Sequence, residues 1–289
     1  MENYEKHLEA LDGYLVLRNY SLATRKSYAC ALKQFFKYRS SQGISGPFSQ
    51  DDARNYLLAR YALGRKWQTI NGDYSAMYHF YKRILKIDWD VQHIPRPRKE
   101  QTLPVVISKK SIQKIIEQGA IFKHQVFMTL LYCTGLRLSE ALHLRLADID
   151  GERLQIHVVK GKGAKDRYVE MPVELLKLLR QYYQAYRPKE YLFNGKRYGT
   201  LWANRSAQWS IHQAREASGI SQRVSPHVFR HCYATHHLEE GTNLVYLKEQ
   251  LGHKNLKTTA KYIRLCKSYP KRVQHPIVGM KIVYQPDKR

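Results

Sequence analysis

A short proline-rich, basic segment is the feature that most constrains how this 289-residue chain can fold. Residues 93–104 read HIPRPRKEQTLP and combine three prolines with a cluster of positive charge. Proline lacks a backbone donor and clashes with the preceding helical turn, so a helix through this segment is excluded. We therefore predict an extended basic linker at 93–104 between a first domain, 1–92, and a second domain, 105–289. A simple surface loop is the alternative interpretation.

The residues before the linker show helical periodicity throughout. Tyr4, Leu8, Leu11 and Leu15 fall on one helical face, and three further apolar stripes follow along the chain. Ser49 precedes a pair of aspartates and is a candidate N-cap for the third helix. Aromatic residues on these stripes are expected in the core rather than as platforms for stacking bases. The pattern predicts a compact helical module with basic outer faces.

The second domain is predicted to be helical with one interruption at residues 153–172, RLQIHVVKGKGAKDRYVEMP. Apolar residues alternate on both sides of a glycine-containing turn, which is typical of a β-hairpin. The predicted tip carries these residues: Lys160, Gly161, Lys162, Gly163 and Lys165. A solvated basic turn and a functional tip are both compatible with this pattern, and the spacing GxxxxGK[ST] of a phosphate-binding loop is absent.

The charge of the chain indicates a polyanionic partner. Lysine and arginine total 49 against 24 acidic residues, which gives a net charge of +25 and a pI of about 9.9. Cations that neutralise phosphates release condensed counterions, so such an excess favours nucleic-acid binding over other functions. A generally basic protein is the alternative, although the positive residues are spread over the whole sequence. The sequence contains neither an apolar run of membrane-spanning length nor a signal-like N-terminus, so we expect a cytoplasmic protein with no membrane partner.

One arginine lies in an unusually apolar stretch, LLYCTGLRLSEALHL. Arg137 needs an anionic partner there, because an unpaired charge is costly in apolar surroundings. Glu140, three residues on, could provide a structural ion pair, and a phosphate oxygen is the functional alternative.

Two later motifs carry further candidate residues. In SPHVFRHCYATHHL, His227 and Arg230 share one helix face; His227 and His231 also have the spacing of a metal pair, but HExxH and CxxC motifs are absent, so we predict no metal. In LGHKNLKTTAKYIR, His253 follows a glycine where a helix should end, and Tyr262 lies nine residues further on. Considered alone, Tyr262 is one of 22 tyrosines and could be a packing residue.

The ordered set TGLR, GKG in a hairpin, HxxRH, LGH and then tyrosine resembles the tyrosine recombinase (lambda-integrase) family. The likeness is closest to bacterial Xer-type and integron-type integrases and extends over roughly residues 8–265. The resemblance implies a mainly α fold with a small β-hairpin or sheet, arranged as a two-domain C-shaped clamp. A helical, SAM-like core-binding domain would precede an α+β catalytic domain, without cofactor or metal. The implied catalytic residues are Arg137, Lys162, His227, Arg230, His253 and Tyr262.

The resemblance also implies a reaction. Such enzymes cleave and rejoin DNA strands through a 3′-phosphotyrosyl intermediate and a Holliday junction, during integration, excision, inversion or resolution of DNA, including that of mobile elements. The expected partners are double-stranded DNA with an inverted-repeat core site and three further copies of the chain in a synaptic homo-tetramer associated with the nucleoid. A type IB topoisomerase or telomere-resolving enzyme would use the same residue types, and a catalytically silent DNA-binding regulator is a third possibility. Within the set, Lys162 is the least specific assignment because Lys160 and Lys165 lie close to it. The apolar stretch 277–283 near the C-terminus is expected to pack either on a neighbouring protomer or on its own chain.

Overall fold

The computed structural model describes residues 4–98, 103–159, 166–195, 197 and 199–266. The chain divides into two compact units, residues 1–102 and residues 103–289. Helices dominate both units, and the second also contains a small antiparallel sheet, so the predicted mainly α fold with a small β-sheet is confirmed. In the described ranges we find no helix with the length and apolar character needed to cross a membrane.

The first unit is a bundle of helices around an aromatic-rich core. Its α-helices are α1 (Tyr4–Leu17), α2 (Leu22–Ser41), α3 (Gln50–Ala62) and α4 (Trp67–His79). A π-helical turn, Phe80–Leu85, continues α4. The predicted cap of α3 is confirmed as a capping box, in which the Ser49 hydroxyl accepts from the Asp52 amide and the Asp52 carboxylate accepts from the Ser49 amide.

The aromatic residues of the first unit pack inside it, as predicted. Phe35, Phe80 and Tyr81 are fully buried; the Tyr81 ring contacts Phe35 in a tilted arrangement and Phe80 edge to face. The first residues of the predicted linker, 93–104, also contact this unit. Ile94 is 2% exposed and belongs to this core, and Arg96 donates to side chains of α4. Residues 93–98 form no helix, as the prolines predicted, and Ile94 nevertheless packs into the first unit.

The second unit surrounds a separate hydrophobic core. Its α-helices are α5 (Lys109–Glu117), α6 (Phe122–Thr134), α7 (Leu138–Leu142), α8 (Val173–Tyr186), α9 (Asn204–Ala217), α10 (Pro226–Glu239), α11 (Leu244–Leu251) and α12 (Leu256–Ala260). Its strands, in the order β1-β2-β3, are β1 (Ile149–Asp150), β2 (Gln155–Val158) and β3 (Arg167–Glu170). Short 3-10 turns cover Leu146–Asp148 and Ile263–Leu265.

The predicted hairpin corresponds to strands β2 and β3. Ile156 pairs with Val169, and both side chains are completely buried, as the alternation required. Leu154 lies within the predicted hairpin segment, 153–172, but adopts a φ of 53° and precedes β2 rather than extending it. The tip, residues 160–165, lies outside the described residues, and so does the predicted catalytic Lys162.

Candidate active site

Two helix ends frame the candidate site. Helix α6 ends at Gly135 with φ 59°, and α11 ends at Gly252 with φ 62°, a region that glycine enters without steric cost. A Cβ atom on Gly135 would lie 2.5 Å from the Tyr233 ring, so close packing also excludes a side chain there. The chain leaves these two ends directly into Arg137 and His253.

Arg230 lies at the centre of the site, on α10, and is 4% exposed. Its Nη1 donates to the Gly135 carbonyl at 2.6 Å, and its Nη2 donates to the Leu251 carbonyl at 2.6 Å and to His253 Nε2 at 3.1 Å. Burial, with a further contribution from nearby Arg137, lowers the pKa of Arg230 to about 10. Among the described residues no carboxylate forms an ion pair with it, so its charge is available to an incoming anion.

Arg137 forms the ion pair with Glu140 that the sequence suggested, but this pair uses only part of its guanidinium. Its Nη1 lies 2.7 Å from Glu140 Oε1, and its backbone amide donates to Glu140 Oε2 at 2.9 Å. Its Nη2 makes a long contact of 3.4 Å with the Gly252 carbonyl. The side chain is 19% exposed, so it can serve the pair with Glu140 and still contact a ligand.

Tyr262 is 5% exposed and its hydroxyl faces a histidine. Tyr262 Oη lies 3.1 Å from His231 Nδ1. Burial raises the pKa of Tyr262, whereas the positive charges of Arg230 and Arg137 act in the opposite direction. Burial, together with His227 and Arg230, lowers the pKa of His231 to about 4, so that its ring is neutral near pH 7. A neutral imidazole can accept the phenolic proton at Nδ1.

The hydrogen bonds of His253 determine its tautomer. A guanidinium only donates, so Nε2 accepts from Arg230, and Nδ1 must carry the proton that it donates to Thr259 Oγ1 at 2.9 Å. Burial and the charges of Arg230, Arg137 and Arg167 lower the pKa of His253 to about 3. The imidazole ring lies nearly parallel to the ring of Tyr262, with centroids 6.3 Å apart.

His227 lies near the N-terminus of α10, with its ring exposed toward solvent. Its ring centroid is 6.4 Å from that of His231, and its pKa is lowered by partial burial and by Arg230 and Arg137. The described histidine partner of the Tyr262 hydroxyl is His231 rather than His227.

The structure thus brings together the positions of five predicted site residues: Arg137, His227, Arg230, His253 and Tyr262. The sixth, Lys162, lies outside the described residues.

Two further residues of the site, His231 and Arg167, were not recognised from the sequence. His231 follows Arg230 directly, and its i, i+4 spacing to His227 suggested only a metal pair. Arg167 pairs with Glu140 at 2.8 Å, and these residues are 27 positions apart. The sequence places Arg167 at the start of an amphipathic strand, directly after a basic turn. That position indicates the contact with Glu140 only weakly.

Comparison with known proteins shows which family the chain belongs to. Residues 106–268 match the model described as "Phage integrase family", and residues 6–91 match "Phage integrase, N-terminal SAM-like domain". A protein of Sinorhizobium fredii, provisionally named integrase/recombinase y4qK, is 35% identical over 254 residues, which cover 86% of this chain and 81% of that protein. Tyrosine recombinase XerC of Bacillus subtilis is 29% identical over 288 residues, covering 92% of this chain and 94% of XerC.

A solved structure shows the same fold at low sequence identity. A crystal structure of a lambda integrase (75-356) dimer bound to a COC' core site matches 89% of this chain and 94% of that chain, with a TM-score of 0.73 and 15% identity. The matched family model spans more than half of this sequence. The chain therefore belongs to the phage integrase family and is a tyrosine recombinase, an enzyme of site-specific recombination.

Proposed function

We propose that this chain cleaves and rejoins DNA at specific sites, with Tyr262 as the nucleophile. One observation carries this proposal: the Tyr262 hydroxyl lies within hydrogen-bonding distance of a neutral histidine and beside the buried charge of Arg230. A buried guanidinium without a carboxylate suits the non-bridging oxygens of a phosphodiester. The neutral histidine provides an acceptor for the proton that Tyr262 must lose.

The reaction is a transfer of the phosphoryl group from one oxygen to another. Tyr262 Oη forms a bond to phosphorus as its proton passes to His231, and the bond from phosphorus to the DNA 5′-oxygen breaks. The product is a 3′-phosphotyrosyl strand with a free 5′-hydroxyl, so the energy of the phosphodiester is retained in the new bond. Attack by the 5′-hydroxyl of a partner strand reverses the step and exchanges strands through a Holliday junction.

Arg137 and Arg230 hold the phosphate in this proposal, because their planar forks stay charged at neutral pH. Lys162 protonates the leaving 5′-oxygen as general acid, and His227, beside both arginines, contacts the phosphate or positions Tyr262. His253 must take up a proton before its Nε2 can donate to phosphate. Approach of the phosphate anion favours that protonation by raising the pKa of the ring.

The DNA partner and the assembly are also proposals. A net charge of +25 and the core-site DNA in the lambda integrase structure support double-stranded DNA as substrate. We infer that two inverted-repeat core sites bind four protomers. The setting would be nucleoid or mobile-element DNA in the cytoplasm.

The test traps the covalent intermediate. Adducts are first captured across a host genome to identify the site, and nicked suicide duplexes carrying that site are then incubated with the protein. A protease-sensitive adduct should form with the wild type and not with Tyr262→Phe, while both proteins bind the duplex equally. An adduct that persists in Tyr262→Phe overturns the assignment. Relaxation of a supercoiled plasmid lacking the site would instead favour a topoisomerase.

A further inference from the structure

Arg167, at the start of β3, links parts of the second unit that are distant in sequence. Its side chain is 11% exposed. Nη1 and Nη2 donate to the two oxygens of Glu140 at 3.1 and 2.8 Å, and Nε donates to the Gln250 carbonyl at 2.9 Å. The guanidinium also packs on Gly252, where an added Cβ would lie 3.0–3.1 Å from the Arg167 side chain. Arg167 therefore contacts both the partner of Arg137 and the helix end that precedes His253.

Glu140 accepts hydrogen bonds from two arginines. Oε1 accepts from the Arg137 and Arg167 side chains, and Oε2 accepts from the Arg137 backbone amide and the Arg167 side chain. Burial raises the pKa of Glu140, but hydrogen bonds and charge from Arg167, followed by those of Arg137, more than offset this and lower it to about 2. Arg167 is thus the main counter-ion of this carboxylate.

The charge balance depends on that sharing. Glu140 is 6% exposed at its side chain and carries one negative charge, which burial makes costly unless it is compensated. With Arg167 present, two arginines face one carboxylate and a net positive charge remains beside Arg230. Without Arg167, Arg137 alone would have to neutralise Glu140, and its fork would be drawn away from a phosphate.

We propose that Arg167 is a positioning residue with two roles. It neutralises Glu140, so that Arg137 keeps its charge for the scissile phosphate. It also fixes the end of α11, which directly precedes His253. The inference rests on the proposed function of Arg137. It assigns Arg167 an electrostatic role in the reaction although Arg167 itself need not touch DNA.

The test combines substitutions at both ends of the contact. Single-turnover adduct formation is measured at saturating protein for Arg167→Gln, Glu140→Gln and the double variant. Arg167→Gln should slow cleavage by roughly 10²-fold, the size of losing one electrostatic donor, with DNA affinity unchanged. The double variant should cleave at least ~10-fold faster than Arg167→Gln, because removing the carboxylate releases Arg137. If the role of Arg167 were purely structural, the double variant would cleave no faster than Arg167→Gln.

Two controls keep the outcome interpretable. Arg153→Gln removes a 79% exposed arginine from the turn before β2 and should leave cleavage unchanged. Arg167→Lys keeps the positive charge but not the planar guanidinium, so its cleavage rate should lie between those of the wild type and Arg167→Gln. Thermal unfolding shows whether Arg167→Gln is folded, and Arg167→Lys provides the test if it is not. If the wild type forms no adduct, the proposed function fails. If the wild type cleaves and Arg167→Gln matches it, or the double variant shows no recovery, the positioning role of Arg167 is wrong.

Discussion

Both units of the molecule bury arginine side chains, but they compensate the buried charge differently. In the first unit Arg39 Nε lies 3.4 Å from Asp52, and Arg60 Nε lies 2.8 Å from Asp73. In the second unit Arg230 is just as buried, yet it donates to two carbonyls and a histidine, and no carboxylate pairs with it in the described ranges. Buried charges normally carry a counter-ion, so this difference is informative.

A buried arginine can thus serve either to stabilise the fold or to bind an anion. An arginine with its own aspartate is electrically complete and holds helices together. An arginine that donates only to uncharged acceptors, two carbonyls and a neutral histidine, is held in place without being neutralised. Such a group has its hydrogen-bond geometry fixed before an anion arrives, which is the requirement for stabilising charge in a transition state. The first unit would thus use arginine for stability, and the second for binding phosphate.

The largest effect is expected from breaking a pair in the first unit. Arg60→Gln leaves the Asp73 carboxylate buried and uncompensated, so the free energy of unfolding should fall by about 3–5 kcal/mol. Asp12→Asn, which breaks the exposed pair with Arg25, should have a much smaller effect on the free energy of unfolding, because solvent screens that pair. Urea unfolding measures both variants. Equal losses would show that burial does not distinguish these pairs.

Arg230→Gln should produce the opposite pattern. Cleavage of the suicide duplex should slow by about 10²–10³-fold, because one donor to the developing charge is lost. The free energy of unfolding should fall less than in Arg60→Gln, since no carboxylate is left unpaired. Single-turnover adduct formation and urea unfolding test these two expectations together. A variant that cleaves at the wild-type rate, or that is destabilised as strongly as Arg60→Gln, contradicts the comparison.

A matched pair of glycines gives a smaller effect. Gly64 and Gly252 have φ angles of 67° and 62°, so alanine at either position should cost roughly 1–2 kcal/mol of backbone strain. A Cβ on Gly64 meets nothing within 4 Å, whereas one on Gly252 meets the Arg167 side chain. Cleavage should therefore slow in Gly252→Ala and stay unchanged in Gly64→Ala. Equal cleavage rates for the two variants would argue against a role for the contact between Arg167 and Gly252.

The last prediction concerns the acid sensitivity of the free protein. An unfolded histidine titrates near pH 6.5, whereas the folded protein keeps His231 neutral down to about pH 4. Between these values the unfolded chain binds more protons, so the free energy of unfolding should decrease as the pH falls through this window. His231→Gln should make that decrease shallower, and adding His253→Gln should flatten it further. Unfolding curves from pH 7 to pH 4 measure the slope, and parallel curves for wild type and variants would refute the linkage.

Much of the fold could be predicted from local patterns. The cap at Ser49, the buried aromatic stripes and the pairing of Ile156 with Val169 all follow from periodicity and turn chemistry. The linker boundary could not be predicted, because Ile94 is held by the core of the first unit rather than by its neighbours in sequence. Leu154 likewise departs from its strand pattern because the chain turns there with positive φ.

The sequence by itself determined the residue types of the site and the two glycines that end α6 and α11, because helix termination depends on local backbone conformation. Only the tertiary structure decided that Tyr262 meets His231, 31 positions away, and that Arg230 meets the Gly135 carbonyl, 95 positions away. The packing of α6, α10 and α11 sets those distances. That packing also sets which carboxylates lie near a buried arginine, and therefore whether its charge is free to bind phosphate. The order of residues along the chain does not reveal this.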